Sequence, residues 1–259
     1  MNNAQKMIKY AAIIFAITLI VGIFSSIIIF LTGNIFGSKE GININKYDNN
    51  AKILSISVGA SSVKIVKGDT LNVSTDNKYV EVKQDNNKVS VMERSHIFGK
   101  NSDIVVTIPT DMVFDKVYIS VSSGTLNIDY LSSFILDIET GAGAVNIDAL
   151  DIIKEMDIET GAGKVNISGN INNLEAEVGA GEFKFSGTLK GKSKIESGVG
   201  KVSVDLIDSI SNYNFEIEKG IGSITINNES ISNDSYYGNG SNHIEIESGV
   251  GSINITTKK

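Results

Sequence analysis

A twelve-residue pattern returns six times in the second half of this chain, and it limits the fold more than any other feature. The pattern is apolar-acid-apolar-Glu-x-Gly-x-Gly-x-apolar-polar-apolar, with small departures. It reads LDIETGAGAVNI from Leu136, MDIETGAGKVNI from Met156, LEAEVGAGEFKF from Leu174, SKIESGVGKVSV from Ser193, FEIEKGIGSITI from Phe215 and IEIESGVGSINI from Ile244. A weaker copy holds Ile119, Val121, Gly124, Leu126 and Ile128, and an older trace, ISVGASSVKI, starts at Ile56. From Gly124 onward the second glycines lie 19, 20, 18, 19, 22 and 29 residues apart. A fixed period of this length marks a chain built of stacked supersecondary units.

Within each unit apolar residues alternate with polar ones on both sides of the glycines, as in Leu136 and Ile138 against Asp137 and Glu139, then Val145 and Ile147 around Asn146. Period two means a strand with one buried face. The Gly-x-Gly between the arms permits a sharp bend. Its middle residue is small or aliphatic (Ala142, Ala162, Ala180, Val199, Ile221, Val250), which suggests a buried corner. One unit cannot fold alone. Its four buried aliphatics contribute roughly 1.5–3 kcal/mol each, while ordering ~19 residues costs about 1–2 kcal/mol per residue. Stacking supplies the missing ladder and interface. The expected fold is therefore all-β: a parallel β-solenoid (β-helix) of ~19-residue coils. An antiparallel sandwich of Gly-x-Gly hairpins is the alternative. Strand-like runs at Ile53–Val58, Ser62–Val66, Thr70–Ser74, Tyr79–Lys83, Lys88–Met92, Ile104–Ile108 and Lys116–Val121 are expected to start and cap the stack. Lys258 and Lys259 are expected to guard its other end.

Residues Tyr10–Leu31 form 22 uncharged positions, apolar on every side. As a helix they would extend roughly 33 Å, enough to cross a hydrocarbon core of about 30 Å. A cleaved signal peptide would be shorter and end in small residues. Lys6 and Lys9 precede the run, so the amino end is expected in the cytoplasm and the rest outside. The expected organisation is a cytoplasmic 1–9, a transmembrane helix at 10–31, a polar linker at 32–50 and an extracytoplasmic β-solenoid at 51–259. Within the last, 51–120 form the initial strands and cap, and 121–259 the repeats.

The balance of 23 Lys and Arg against 30 Asp and Glu disfavours a polyanion, so no nucleic-acid partner is expected. With no cysteine and two histidines, His96 and His243, thiolate zinc sites are excluded and histidine clusters are not expected.

The segment VVTIPTDMVFDKVYISVSSGTLNID (Val105 to Asp129), followed by the ETGAG and ESGVG units, resembles the bacterial "putative adhesin" family of β-strand-repeat proteins, over roughly Ile53 to Ile255. That resemblance implies an extended strand, a proline, a strand and then repeated glycine units. It implies a membrane-anchored protein of the cell envelope, in some relatives connected with envelope stress. It offers no catalytic residues to carry over.

In a parallel stack, equivalent residues lie ~4.8 Å apart. Glu139, Glu159, Glu177, Glu196, Glu218 and Glu247 would then form one file, and Asp137, Asp157, Glu175, Lys194, Glu216 and Glu245 a second. Like charges at that spacing repel by about 1 kcal/mol per pair in water. The face is expected to be solvated, to bind divalent cations such as Ca2+, or to dock a basic partner. No calcium-roll motif is present, and no other cofactor is expected. Asn127, Asn146 and Asn166 should form an amide ladder that Lys184 breaks. The long loop Asn227 to Asn242, carrying Tyr236 and Tyr237, is either a tolerated insertion or a partner-binding loop. Thr140 and Thr160 are followed by Val178, which argues against an ice-binding threonine file. The expected function is non-enzymatic: a membrane-anchored envelope protein with an adhesive, scaffolding or stress-related role and an envelope or cell-wall partner. The alternative is a carbohydrate-active β-helix enzyme of the cell envelope.

Overall fold

The computed structural model describes residues 43–47, 49–94, 102–231 and 235–258. The apolar run at 10–31 and His96 lie outside them. Among the described residues no helix is long and apolar enough to cross a membrane.

The alternation seen in the sequence becomes strands. They are β1 (Asn43–Lys46), β2 (Ile53–Val58), β3 (Ser62–Gly68), β4 (Asn72–Thr75), β5 (Val80–Asp85), β6 (Lys88–Glu93), β7 (Asp103–Pro109), β8 (Phe114–Ile128), β9 (Leu131–Asn172), β10 (Leu174–Lys190), β11 (Lys192–Ser209), β12 (Tyr213–Ile226), β13 (Glu229–Ile231), β14 (Ser235–Gly238) and β15 (Asn242–Lys258). β1 falls inside the segment expected to be a linker and pairs antiparallel with β4. The only helical element among the described residues is a single 3-10 turn, Ile210–Asn212.

All fifteen strands belong to one unclosed sheet, bent at each Gly-x-Gly so that successive coils stack in a solenoid-like manner. β8, β9, β10 and β11 follow one another in parallel register, with Gly124 beside Gly143, Gly181 beside Gly163, and Gly200 beside Gly181. β9 carries two complete coils because pairing persists through the bends. β2 and β3 form an earlier coil, the ISVGASSVKI trace, set parallel against the two arms of β8. The interior is a continuous apolar column; one coil contributes Leu136, Ile138, Val145, Ile147, Leu150 and Ile152. Parallel pairing of equivalent positions excludes the antiparallel hairpin alternative.

Two expectations need correction. First, the bend residue is not buried: Val199, Val250 and Ile221 are 45%, 43% and 61% exposed. Buried positions run 136, 138, 140 and then 145, 147. That odd step puts the middle residue of the bend on the convex side. Second, the coils do not stack in chain order. β15, the sixth copy, lies between β11 and β12, parallel to both, so the fifth copy is the outermost. Lys258 is therefore paired beside Ser209 of β11 instead of guarding an open end, and Lys259 lies outside the described residues.

A sequence difference explains this order. Thr140, Thr160, Val178, Ser197 and Ser248 occupy one buried position in successive coils. In β12 that position is Lys219, only partly buried, whose Nζ donates to the Gly222 carbonyl at 2.9 Å. A lysine cannot be buried between two coils without a large desolvation cost, so β12 fits the end of the stack. β13 and β14, drawn from the long loop, pair antiparallel with its outer edge. The opposite end is finished in the same manner by β5 on one arm and by β4 and β1 on the other.

At the bend, Gly143, Gly163, Gly181, Gly200, Gly222 and Gly251 all have φ between 138° and 152°. A Cβ on any of them would overlap the carbonyl of the adjacent glycine. Gly200→Ala is expected to destabilise the chain by about 3 kcal/mol or more, from backbone strain together with the clash. Ala180→Ser, on the exposed side of the bend, should stay within about 0.5 kcal/mol. Denaturant melts of the two variants check this.

Candidate functional site

The acidic files form as expected, in the order the stack dictates. Glu139 faces Ser120, and Glu177 pairs with Glu159 on one side and Glu196 on the other. Glu247 follows Glu196, and Glu218 comes last. The second file runs Tyr118, Asp137, Asp157, Glu175, Lys194, Glu245 and Glu216. All these side chains point away from the core, yet the carboxylates of the first file are half-buried because each is covered by its neighbours in the stack.

Crowding sets their chemistry. Burial first, then the charges of Asp157, Glu139, Asp137 and Glu175, pushes Glu159 up to about 7. Burial and the charges of Glu196, Glu159, Glu175 and Asp157 bring Glu177 to about 7. Asp157 rises to about 6 from burial and from Asp137, Glu175 and Glu155. Burial shifts Asp137 upward against the opposing charge of Lys116, and burial with the charges of Asp137 and Asp157 shifts Glu139 upward. Glu159 and Glu177 are therefore only partly ionised at neutral pH.

Lys194 interrupts the second file. It pairs with Glu196 of its own strand, and with Glu247 at 3.5 Å and Glu245 at 3.8 Å on β15. Burial works against its charge, but the hydrogen bond it donates to Glu196 and the surrounding carboxylates hold its pKa above the usual lysine value. Lys116 lies 4.2 Å over the Tyr118 ring at the other end. Between Tyr118 and Lys194 the file contains only acids. Among the described residues no group of three or more His, Cys, Asp or Glu is arranged to hold a metal ion; the carboxylates line up along the stack instead of converging.

The amide ladder is present on the second arm. Asn146 donates to Asn127 at 3.1 Å and Asn166 to Asn146 at 3.0 Å, and Lys184 follows. Thr140 and Thr160 face the interior and hydrogen-bond each other at 3.0 Å, so they form no surface file. Tyr237 is exposed and lies opposite Phe215 in β14. Tyr236 is the register partner of Glu216. The long loop is thus capping material for β12. His243 approaches Glu216 at 3.5 Å.

Sequence reasoning missed a buried polar cluster at the first bend. Glu93, 6% exposed, accepts from the N–H of Gly59 at 2.9 Å, Ala60 at 3.2 Å and Ser61 at 3.3 Å. It also accepts from the Ser61 hydroxyl at 2.7 Å and from Asn77 Nδ2 at 2.7 Å. Burial alone would raise its pKa; the Ser61 hydroxyl and the three backbone donors outweigh that and hold it below the ordinary value. The missed signal was parity: Glu93 follows Val89 and Val91 at an inward position of β6.

The family profile described as Toastrack DUF4097 matches residues 38–256. The chain belongs to the Toastrack DUF4097 family. That span contains every coil and both capped ends of the Toastrack domain. No curated protein matches the chain. Among solved structures, it is similar to a putative cell adhesion protein from Clostridium sporogenes, at 19% identity, 85% coverage of this chain, 100% of that chain and a TM-score of 0.36. It is also similar to a putative adhesin from Bacteroides fragilis, at 11% identity, 84% and 98% coverage and a TM-score of 0.37. A third is a putative lipid binding protein from Parabacteroides distasonis, at 15% identity, 86% and 98% coverage and a TM-score of 0.36.

The two kinds of carboxylate give opposite pH responses. Asp157, Glu159 and Glu177 bind protons more tightly folded than unfolded, so their repulsion is absent below the unfolded values of 3.8 and 4.5 and grows as pH rises to about 7. Glu93 stabilises the fold above 4.5, and that contribution is lost as pH falls through its lowered folded value. The melting temperature is expected to rise from pH 8 to pH 5 and fall again below about pH 4. Glu177→Gln should stabilise the fold at pH 8 by roughly 1 kcal/mol after allowing for solvent screening, and leave stability unchanged at pH 5. Glu93→Gln should destabilise at pH 7 by about 2 kcal/mol through its buried donors. Calorimetry across this pH range separates the two effects.

Proposed function

We propose that this Toastrack protein is a non-enzymatic, membrane-anchored protein of the cell envelope that displays a parallel β-solenoid of 18–20-residue coils outside the cytoplasm as an adhesive or scaffolding module. The observation that carries the reading is the repetition of one side chain at one position in coil after coil. Glu139, Glu159, Glu177, Glu196, Glu247 and Glu218 present the same group at strand spacing along an outward face. Such a surface suits many weak, equivalent contacts with a periodic or extended partner, whose strength comes from number. The raised pKa values along the file favour a partner that brings positive charge, because it would relieve existing repulsion. A basic envelope protein or a basic cell-wall component fits that description.

Anchoring rests on the sequence: 22 uncharged residues at 10–31, with Lys6 and Lys9 before them. The short segment beyond the apolar run would hold the domain close to the membrane.

Protease added to intact cells is expected to degrade the Toastrack domain while a tag ahead of Met1 survives; survival of the whole chain until lysis would reject the proposed orientation. A soluble form lacking residues 1–31 should bind the isolated envelope fraction at pH 7.5 in a salt-sensitive way, and replacing Glu139, Glu159 and Glu177 together by Gln should abolish that retention. Unchanged retention of the variant would reject the acidic face as the contact surface.

A further inference from the structure

β15 sits out of chain order, between β11 and β12. β11 and β12 are separated by one strand layer, and the strand that fills it is made after both. β12 cannot rest on β11 in the observed arrangement, since every paired position of β12 from Tyr213 to Ile226 is matched to β15. The edge of β11 is likewise matched to β15 from Lys192 through Leu206. The body (β1–β11) and the cap (β12 with β13 and β14) are thus joined across a slot, and β15 is the wedge that closes it.

The connection into the slot is short. β14 ends at Gly238 on the outer edge of β12, and β15 starts at Asn242 on the inner edge. Residues 239–241 carry the chain around the beginning of β12. They pass so close that a Cβ on Gly240 would overlap Asn212 and Tyr213, and Gly240 N–H donates to the Tyr213 carbonyl at 3.0 Å. The groups that hold β15 lie on the slot walls: Lys194 on β11 for Glu245 and Glu247, Asp205 on β11 for Thr256, and Thr225 on β12 for Asn254. All of them are presented identically by any other copy of the chain. An element held by partners remote in sequence, through a short connection, is the arrangement that permits exchange between protomers.

We infer that β15 is an exchangeable strand: the slot between β11 and β12 accepts β15 from a second copy of this chain, and reciprocal insertion joins two copies. The occupant is fixed by the slot itself. It takes alternating apolar residues with a Gly-x-Gly at the bend, acids opposite Lys194, and Ser248 at the buried position. β15 meets all of these conditions. β12 fails the last, because it places Lys219 there.

The absence of native cysteine makes the inference testable in the full chain. Lys201 and Ser252 are register partners across β11 and β15, neither of them buried, at a spacing a disulfide spans. The double variant K201C/S252C should close its own bridge, which verifies the register. Full-length K201C and S252C chains with different tags, co-expressed and oxidised, should yield a heterodimer. Mass spectrometry should find position 201 of one copy linked to position 252 of the other. Deleting residues 239–241, which removes the route into the chain's own slot, should move that population from a minority to nearly all of the protein and shift its elution to dimer size. A double variant that closes its own bridge while the mixed single variants give no 201–252 link would overturn the inference. So would a hinge deletion that stays folded and monomeric.

Discussion

The stack depends on one close approach: the carbonyl of a corner glycine lies directly against the Cα of the corner glycine in the next coil. No side chain fits in that space, and the same contact recurs from Gly143 to Gly251 and Gly222. It does two things at once. It fixes the bend, because only glycine adopts the required φ without strain. It also fixes the register, because a one-residue slip would bring a side chain into the gap and turn every apolar residue outward. The apolar column of Leu, Ile, Val and Phe provides the driving force, while the corner contact sets where each coil must sit.

Registry of this kind carries an electrostatic cost that the sequence manages unevenly. Superposing equivalent positions superposes equivalent charges, and from Glu139 to Glu177 crowding and burial push the carboxylate pKa values upward. Where β15 enters, a counter-ion is present. Lys194 replaces an acid in the second file and holds Glu196, Glu245 and Glu247 around it. The most compensated part of the face is thus the part where the chain departs from sequential winding.

Much of this was readable from residues alone. Alternation located β2 from Ile53 to Val58 without error, and the Gly-x-Gly period gave the parallel register, the glutamate file and the Asn127–Asn146–Asn166 ladder. Three features were not read, each for a physical reason. The direction of the bend depends on the five-residue step between Thr140 and Val145, which period two does not track. The exchange of the last two coils turns on a single position, Lys219 against Ser248, within otherwise interchangeable copies. The Glu93 cluster is assembled from Gly59, Ser61 and Asn77, more than 15 residues away in sequence, and only the inward parity of Glu93 hinted at it.

Both ends of the stack are finished by sequences of their own. Glu93 and the β4, β5 and β1 strands close one end, and Lys219 with β13 and β14 closes the other. The middle is consequently modular. A duplicated segment of 19 or 20 residues inside β9 would add one rung of ~4.8 Å without disturbing either terminus, and a deletion would subtract one. Tandem duplication or loss of a coil is thus an evolutionary ruler: descendants of this chain can lengthen or shorten their reach by whole rungs while keeping both lids.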